Sequence, residues 1–446
     1  MRLYVRKDTM VSYLKLLICI SVSGFVLLVS DGVLSHVIAL GILVFGAMRI
    51  ARFDLAHPYV WYSFVFMLYA IGYPILYSYG LTYDIHIYTK ELMFSQWLAL
   101  VVFLIAVSPA HVDYSNLHCL RTTVVSSKPI MGLASLVLLA TALEISTGGY
   151  SHKGEIYSSG GTIVSMGFRV ALVFLMLYAV NLTIQGLLEK KLDMSLFLGT
   201  FGITGLITFF SGERDLLIRF SVISLFVYHI VINKGKFTRK TLALGLGGLV
   251  LVPLLKKYKY FGLSGQTSAM SGSLVVDFFT SDFVSASKNM QTLLLDVNAK
   301  GTFAGATWLS TFVRLFGLDV FFSENVVSAA NWYNMTYFPA GRAGQGFTLV
   351  GDGYVNFGYA GIVILFLSLG MLVGFLFRRS RKGVYSFVYY VMSIPVFMYS
   401  VRADLANVLL PLIRQNLIII LLLQVALRAG PVKQPEMILA HPSKSD

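Results

Sequence analysis

The sequence predicts an all-α integral membrane protein with about twelve transmembrane helices and both termini in the cytoplasm. The first observation is composition: 57% of the 446 residues are hydrophobic and only 13% are charged, about half the charged share of soluble domains. The second is that apolar runs recur at a length that crosses a hydrocarbon layer of roughly 30 Å at 1.5 Å per residue. Since lipid offers the backbone no water, continuous runs favour helices over barrel strands.

Each apolar run of sufficient length is predicted to form one spanning helix. Nine helices fall in residues 1–255 and three in residues 352–428, and a large external loop, 256–351, separates the two sets. Residues 429–446 form a cytoplasmic tail. The predicted helices cover residues 11–30, 32–50, 58–80, 91–110, 129–148, 163–187, 194–211, 215–233, 241–255, 352–377, 384–401 and 408–427.

Lysine and arginine set the predicted orientation. They concentrate in the short loops on one side, which indicates the cytoplasm. The net charge of +14 is largely this topological signal. Because the basic loops are too short to form a nucleic-acid surface, we expect no nucleic-acid partner. The first helix is expected to be an uncleaved anchor, since no small-residue cleavage site follows a short apolar core. The short external loops hold only Lys90, Lys153, Arg214 and Arg402.

The external loop is rich in apolar and aromatic residues, which predicts a folded helical cap rather than a disordered linker. Within it, "ATWLSTFVRLFGLDVFF" (306–322) is typical of a helix lying in the headgroup region, with Trp308 and the phenylalanines expected to face lipid. Insertions of this size usually serve a function. An apolar cap over the outer membrane face suits a substrate that carries a lipid tail.

Six arginines are predicted to lie at one level of the outer leaflet. Arg169, Arg219 and Arg414 lie four to six residues inside the external ends of their helices, roughly 6 to 9 Å deep. Arg214, Arg342 and Arg402 lie at the rim above them. An arginine inside the membrane is energetically costly and therefore indicates a function. Guanidinium groups match the geometry of phosphate oxygens and stay charged at working pH. The six arginines therefore predict an anion site.

The alternative is that each arginine is neutralised locally. Asp215 and Arg219 are four residues apart on one helical face and can pair. Glu144, near the outer end of its predicted helix, can pair with another arginine.

A glycine-rich stretch, "GRAGQGFTLVGDGYVNFGYAG" (341–361), leads into the tenth predicted helix. Its glycines permit tight turns and close helix packing. A functional alternative is that N–H groups at this helix start, with Arg342 before it, face an anion. It is not a nucleotide-binding fingerprint, because no strand precedes it and the spacing differs.

The stretches "SGERD" (211–215) and "FTLVGDGYVNFGYAGIVILFLSLG" (347–370), with the long loop between them, resemble the O-antigen polymerase (Wzy-type) family. These are oligosaccharide repeat-unit polymerases of bacterial inner membranes. The resemblance implies a fold similar to lipid-dependent membrane glycosyltransferases (GT-C-like). It also implies that Arg214 and Arg342 hold undecaprenyl diphosphate. The family commonly has Glu-Ala-Tyr where this chain has Asp352, Gly353 and Tyr354, so the acid is kept but is one carbon shorter.

The resemblance implies polymerisation of lipid-linked repeat units at the periplasmic face. The partners would be undecaprenyl-diphosphate-linked oligosaccharides, as donor and as acceptor, the surrounding membrane lipid, and a chain-length regulator protein. Arginines would stabilise the leaving diphosphate, and an acid would act as base near the acceptor hydroxyl. Asp352 and Glu213 are the first candidates for the base, since each adjoins a candidate phosphate arginine. The other acids near the external face are Glu324, Glu144 and Asp404.

No metal or other cofactor is expected. The sequence has no paired acidic motif of the kind that holds magnesium, so we predict metal independence. The two cysteines, Cys19 and Cys119, suggest neither a disulfide nor a metal cluster.

Two other functions compete with polymerisation. The O-antigen ligase resembles this layout, but that family relies on a histidine in its large external loop. None of the eight histidines here lies in residues 256–351. A flippase for the same lipid-linked sugar would line a path through both leaflets, whereas the arginines here cluster in the outer leaflet.

Overall fold

The chain is described by a computed structural model. The structure describes residues 7–30, 32–81, 90–109, 215–257, 283–321, 327–338 and 346–417, with single positions or pairs at 198–199, 201–202, 204–205, 276, 278 and 420–421. Within these ranges the secondary structure is helical and contains no strand.

The described helices are numbered in chain order and are not all membrane spans. A π-helical turn, Tyr228–Ile232, continues α5, and another, Pro411–Leu417, continues α12. Short 3-10 turns follow α8 at Leu318–Phe321 and α10 at Ser380–Lys382. The helices are α1 Lys7–Val29, α2 Val33–Ile50, α3 Pro58–Ser78, α4 Lys90–Val107, α5 Asp215–Val227, α6 Arg239–Lys257, α7 Val284–Lys300, α8 Ala306–Leu315, α9 Ala329–Tyr337, α10 Leu349–Arg379, α11 Val384–Ser400 and α12 Leu405–Leu410.

Five of these helices are long and apolar enough to cross a membrane: α1, α2, α3, α4 and α10. They correspond to the first four and the tenth of the predicted spans. The chain is therefore a multi-pass, all-helical membrane protein over its described part. The predicted spans at 129–148 and 163–187 lie outside the described residues. The total of twelve spans and the side on which each loop lies stay predictions.

Close packing of α4 against α10 depends on small residues. A Cβ at Gly370 would lie 2.6 Å from the Cβ of Ala106 and 2.8 Å from the carbonyl oxygen of Phe103. A Cβ at Gly374 would likewise meet the carbonyl oxygen of Val107. Glycine at these positions lets the two backbones touch. In lipid no hydrophobic effect drives helices together, so they associate through close packing of this kind.

Helix α10 is broken near its start. Phe357 and Gly358 have non-helical backbone angles, and Gly358 has a φ of 61°. The break brings Gly361 onto Gly353 so closely that a Cβ at Gly361 would overlap the Gly353 carbonyl oxygen. The glycine-rich stretch therefore serves a turn and a backbone contact, as the packing interpretation predicts. The sequence analysis did not anticipate the break, because it treated 352–377 as one straight helix.

The segment predicted to form the external loop contains helices among its described residues, but one of its side chains does not face the way that the sequence predicts. Helix α8 exposes Leu309 and Phe312, and Phe316, directly after the helix, is also exposed. Trp308, expected to face lipid, instead packs against the core and donates its indole N–H to Asp352 at 3.2 Å. The expectation for Trp308 was wrong because a buried carboxylate needs donors, and the indole N–H is one.

Candidate functional site

Asp352 lies in the first turn of α10 and is 1% exposed. Its Oδ1 accepts hydrogen bonds from Thr307 Oγ1 at 3.3 Å, Trp308 Nε1 at 3.2 Å and Asn356 Nδ2 at 3.0 Å. Its Oδ2 accepts one from the backbone N–H of Leu405 at 2.7 Å. A carboxylate offers about four lone-pair sites. Three described donors therefore share Oδ1, and Oδ2 receives one.

Local sequence explains how these donors reach the carboxylate. Asn356 follows Asp352 by one helical turn, so the two side chains share a face of α10. The same amide donates to Thr307 Oγ1 at 2.7 Å. Helix α8 begins after Gly305, whose φ is 88°. A Cβ at Gly305 would lie 2.8 Å from the Phe357 ring, so glycine allows α8 to start against the break in α10.

Asp404 is a second buried carboxylate, also 1% exposed. It caps the start of α12, because its Oδ1 accepts from the backbone N–H of Asn407 at 3.0 Å. Its Oδ2 accepts from the backbone N–H of Ala330 at 3.0 Å, in the first turn of α9. One side chain thus satisfies N–H groups at the starts of two helices, which have no partner within the helix.

We call Asp352 and Asp404, with the groups that donate to them, the carboxylate cluster. It joins α8 and α9, of the predicted external loop, to α10 and α12. Among the described residues no lysine or arginine contacts either carboxylate, and the donors are amide, hydroxyl and indole groups. Hydrogen bonds to an ionised acceptor are about twice as strong as neutral ones. The cluster therefore fixes the loop helices on the bundle.

Arg219, in α5, is buried between two polar side chains. Its Nε bonds Asp215 Oδ2 at 2.8 Å, which is the local pairing that the sequence analysis kept as an alternative. Its Nη1 donates to Gln415 Oε1 at 3.0 Å. Gln415 lies in the π-helical turn that follows α12, next in sequence to Arg414.

Arg414 is exposed and reaches the end of α8. Its Nε donates to the Leu315 carbonyl at 3.3 Å, and its Nη2 bonds the carbonyls of Arg314 and Leu315. The last carbonyls of a helix have no partner within the helix, so a cation there is favourable. The described hydrogen bonds of Arg414 use its Nε and Nη2 groups, and its Nη1 group makes none with the described residues.

Arg402 lies in the turn between α11 and α12. Its guanidinium stacks over the Tyr399 ring, with 5.6 Å from Cζ to the ring centroid. A Cβ at Gly346 would lie 3.8 Å from its Nη2 and 3.2 Å from Ser285 Oγ. The Arg402 carbonyl accepts from the Phe347 backbone N–H at 3.0 Å. Arg402 therefore lies beside the start of α7 and the segment leading into α10.

The segment 402–415 is where the described candidates meet. It contains Arg402 and Arg414, it binds Arg219 through Gln415, and it binds Asp352 through the N–H of Leu405. Two of the predicted site residues thus lie in this stretch, and two more, from other parts of the chain, contact it. The remaining candidates lie outside the described residues, and their roles stay predictions: Arg169, Arg214, Arg342 and Glu213, with the further acids Glu144 and Glu324.

Several residues of this site were missed by the sequence analysis. Thr307 and Trp308 lie 44 residues or more from Asp352 in the chain, and nothing local signals their contact. Gln415 was missed because a neutral side chain gives no charge signal in the sequence, and its contact with Arg219 is long-range. Asn356 was detectable: it is four residues after the candidate acid Asp352 and lies on the same side of the helix.

A groove of about 330 Å³ opens between α1, α4 and α10. Its walls are mainly apolar and aromatic, and Lys90 and Glu91 lie at its edge. Over the described residues, no group of three or more histidine, cysteine, aspartate or glutamate side chains is arranged to hold a metal ion. Metal independence stays a prediction.

The fold and the site define an all-helical integral membrane protein in which arginines and buried carboxylates gather at one end of the helix bundle. A family model described as O-antigen polysaccharide polymerase Wzy matches residues 120–433. The chain belongs to this family, as the two sequence stretches predicted. Comparison with curated proteins and with solved structures gave no match.

Proposed function

We propose that the protein is a glycosyltransferase that polymerises undecaprenyl-diphosphate-linked oligosaccharide repeat units at the periplasmic face of the bacterial inner membrane. Membership of the O-antigen polymerase family supports polymer formation from lipid-linked repeat units. The observation that supports the site assignment is that Arg402 and Arg414 lie in the segment 402–415, which Arg219 contacts through Gln415 and Asp352 through the N–H of Leu405. The product would be an O-antigen or a similar surface polysaccharide.

The reaction makes two chemical demands. The acceptor hydroxyl loses a proton as its oxygen attacks the anomeric carbon of the donor, and the bond from that carbon to the diphosphate breaks. Negative charge grows on the leaving diphosphate, where preorganised arginines are most effective. Arg402 and Arg414 are the described candidates for this contact, with Arg214 and Arg342 from the family resemblance. Arg219 bonds Asp215 and Gln415, and it would position the segment that carries Arg414 without contacting the diphosphate itself.

The environment of Asp352 bears on the identity of the base. A general base needs a free lone pair within reach of the proton that it takes. Oδ1 of Asp352 receives three protein donors and Oδ2 one, and the side chain is 1% exposed, so an acceptor hydroxyl does not reach it in this structure. We therefore assign Asp352 to holding the site together and place Glu213 first among the candidate bases.

The test is polymerisation by purified protein supplied with a polyprenyl-diphosphate-linked repeat unit and read as a ladder on a gel. Arg214, Arg342, Arg402, Arg414 and Arg219 are each changed to alanine and to lysine. Loss of a group that stabilises the leaving anion is expected to lower the rate by about 100-fold. Lysine should restore little, because it keeps the charge but loses the fork.

Arg379→Ala is the matched control, since Arg379 stacks over Phe375 at the far end of α10. Its ladder should equal that of the unchanged protein. If every arginine variant gives long chains at normal protein levels, the diphosphate assignment is wrong. Reconstituted protein that moves labelled lipid-linked sugar across a bilayer without lengthening it would indicate a flippase. Transfer of the chain to lipid A core would indicate a ligase.

A further inference from the structure

Helix α8 has an inverted distribution of polar and apolar side chains. Its polar residues Thr307, Ser310 and Thr311 are buried against the bundle. Its large apolar side chains point outward: Leu309 is 67% exposed and Phe316, directly after the helix, is 73% exposed. A cap helix surrounded by water has the opposite arrangement. The outward face therefore requires an apolar environment.

The 3-10 turn that follows α8 continues this apolar face. Leu318 is exposed there, and Phe321 is 79% exposed. We call the exposed apolar side chains of residues 309–321, which are Leu309, Phe312, Phe316, Leu318 and Phe321, the apolar ridge. Several large exposed apolar side chains close together in the chain indicate an interaction with a membrane or a partner.

The position of α8 along the membrane normal follows from α10. Below the break at Phe357 and Gly358, residues 359–379 form a helix of about 31 Å, which by itself crosses the hydrocarbon layer. The break therefore lies near the outer boundary of the hydrocarbon. Helix α8 packs on this break, since the Trp308 and Phe357 ring centroids are 5.3 Å apart. The apolar ridge lies at the depth where amphipathic helices enter a leaflet.

The polar side of α8 is fastened to the bundle at both ends. Thr307 and Trp308, in its first turn, bond Asp352. Arg414 bonds the carbonyls of Arg314 and Leu315, which end the helix. The helix cannot turn its ridge toward the bundle without breaking these contacts. A displacement of the ridge therefore also moves Thr307 and Trp308, which donate to Asp352.

We propose that the apolar ridge is embedded in the outer lipid leaflet, and that this attachment holds Thr307 and Trp308 against Asp352. The partner is the phospholipid leaflet itself. Helix α8 is then a connector with one face in lipid and the other at the carboxylate cluster. The inference does not depend on the polymerase activity, because it concerns where the ridge lies and what it supports.

The first experiment measures the depth of the ridge in the full-length protein. The background carries Cys19→Ser and Cys119→Ser, and the protein is reconstituted in phosphatidylethanolamine and phosphatidylglycerol vesicles. Phe316→Cys receives an NBD label. The matched control is Asn331→Cys, at an exposed polar position on the neighbouring helix α9. We expect blue-shifted emission at 316 that spin-labelled acyl chains quench and iodide does not, with the reverse at 331.

The second experiment measures the coupling to the cluster by amide hydrogen exchange in the same vesicles. Leu309→Glu and Phe316→Glu should raise exchange in residues 306–315, because a charge expels the ridge from lipid and strains the bonds to Asp352. Leu309→Met and Phe316→Leu keep the ridge apolar and should leave exchange unchanged.

The depth measurement decides the proposal even if the glutamate variants fail to fold. Quenching of the label at 316 by iodide would overturn it, since the ridge would then face water. Protection from both quenchers would also overturn it, because another protein segment would cover the ridge. Equal exchange in the glutamate and apolar variants would remove the coupling to Asp352.

Discussion

The two ends of the helix bundle satisfy their backbone groups in opposite ways. At the predicted cytoplasmic end, side chains donate to carbonyls: Tyr59 Oη to Leu104 at 2.7 Å and Arg378 Nη1 to Val107 at 2.9 Å, both near the end of α4. At the predicted external end, Asp352 and Asp404 accept from backbone N–H groups. The contrast arises because α4 ends at the first location, while α9 and α12 begin at the second.

The two ends also differ in the groups that their hydrogen bonds use: buried carboxylates, Asp352 and Asp404, lie at the predicted external end. The described hydrogen bonds of Tyr59 and Tyr390 at the cytoplasmic end involve neutral partners, and each can be lost at a cost of about 1 kcal/mol. The predicted external end depends on carboxylates, and among the donors to Asp352 only the Asn356 amide has another described acceptor. Removing an ionised group from such a network leaves several buried donors unpaired. The ends should therefore respond very differently to substitution.

The largest effect is expected from Asp352. Asp352→Ala leaves three donors, at Thr307, Trp308 and the Leu405 backbone, without a described acceptor, which should destabilise the predicted external end by about 3 kcal/mol or more. Asp352→Asn should rescue little, because its NH2 group would face other donors. The measurement is the midpoint of heat-induced loss of monodisperse protein in detergent, alongside the polymer ladder. An Asp352→Asn variant as stable as the unchanged protein would contradict the role assigned to this carboxylate.

Substitutions of Asp404 are expected to have an intermediate effect. They distinguish the contribution of helix capping to stability from that of the negative charge. Asp404→Ala removes caps from α9 and α12 and should cost roughly 2 kcal/mol, at about 1 kcal/mol for each cap. Asp404→Asn keeps one acceptor oxygen, and asparagine is a good capping residue, so it should recover about half of the loss. The same heating assay measures both variants. Equal losses for alanine and asparagine would mean that charge rather than capping matters at this position.

The smallest effect is expected at the cytoplasmic end. Tyr390 Oη accepts from Trp61 Nε1 at 3.2 Å and donates to the Ala56 carbonyl at 2.6 Å. Tyr390→Phe removes only these bonds and should cost about 1 to 2 kcal/mol with no change in polymer length. The heating midpoint and the ladder are read together. A loss of polymer at normal stability would show that the cytoplasmic end also takes part in the reaction.

Part of the site was predictable because it depends on local chemistry. The pairing of Asp215 with Arg219 follows from their spacing of four residues and is present at 2.8 Å. The glycines of 341–361 were recognised as a packing or turn signal, and those at 353, 358 and 361 serve those purposes. Arg414 was assigned to the outer leaflet from depth alone, but its contact with the end of α8 could not be foreseen.

Composition and the lengths of the apolar runs determined by themselves that this is a helical membrane protein, because lipid denies the backbone any other partner. The two stretches around 211–215 and 347–370 determined the family. Only the tertiary structure decided that Trp308 donates to a carboxylate, that Arg219 donates to Gln415, and that α8 exposes its apolar side. These contacts join residues far apart in the chain, and hydropathy records how apolar a segment is but not which buried group its polar atoms must satisfy.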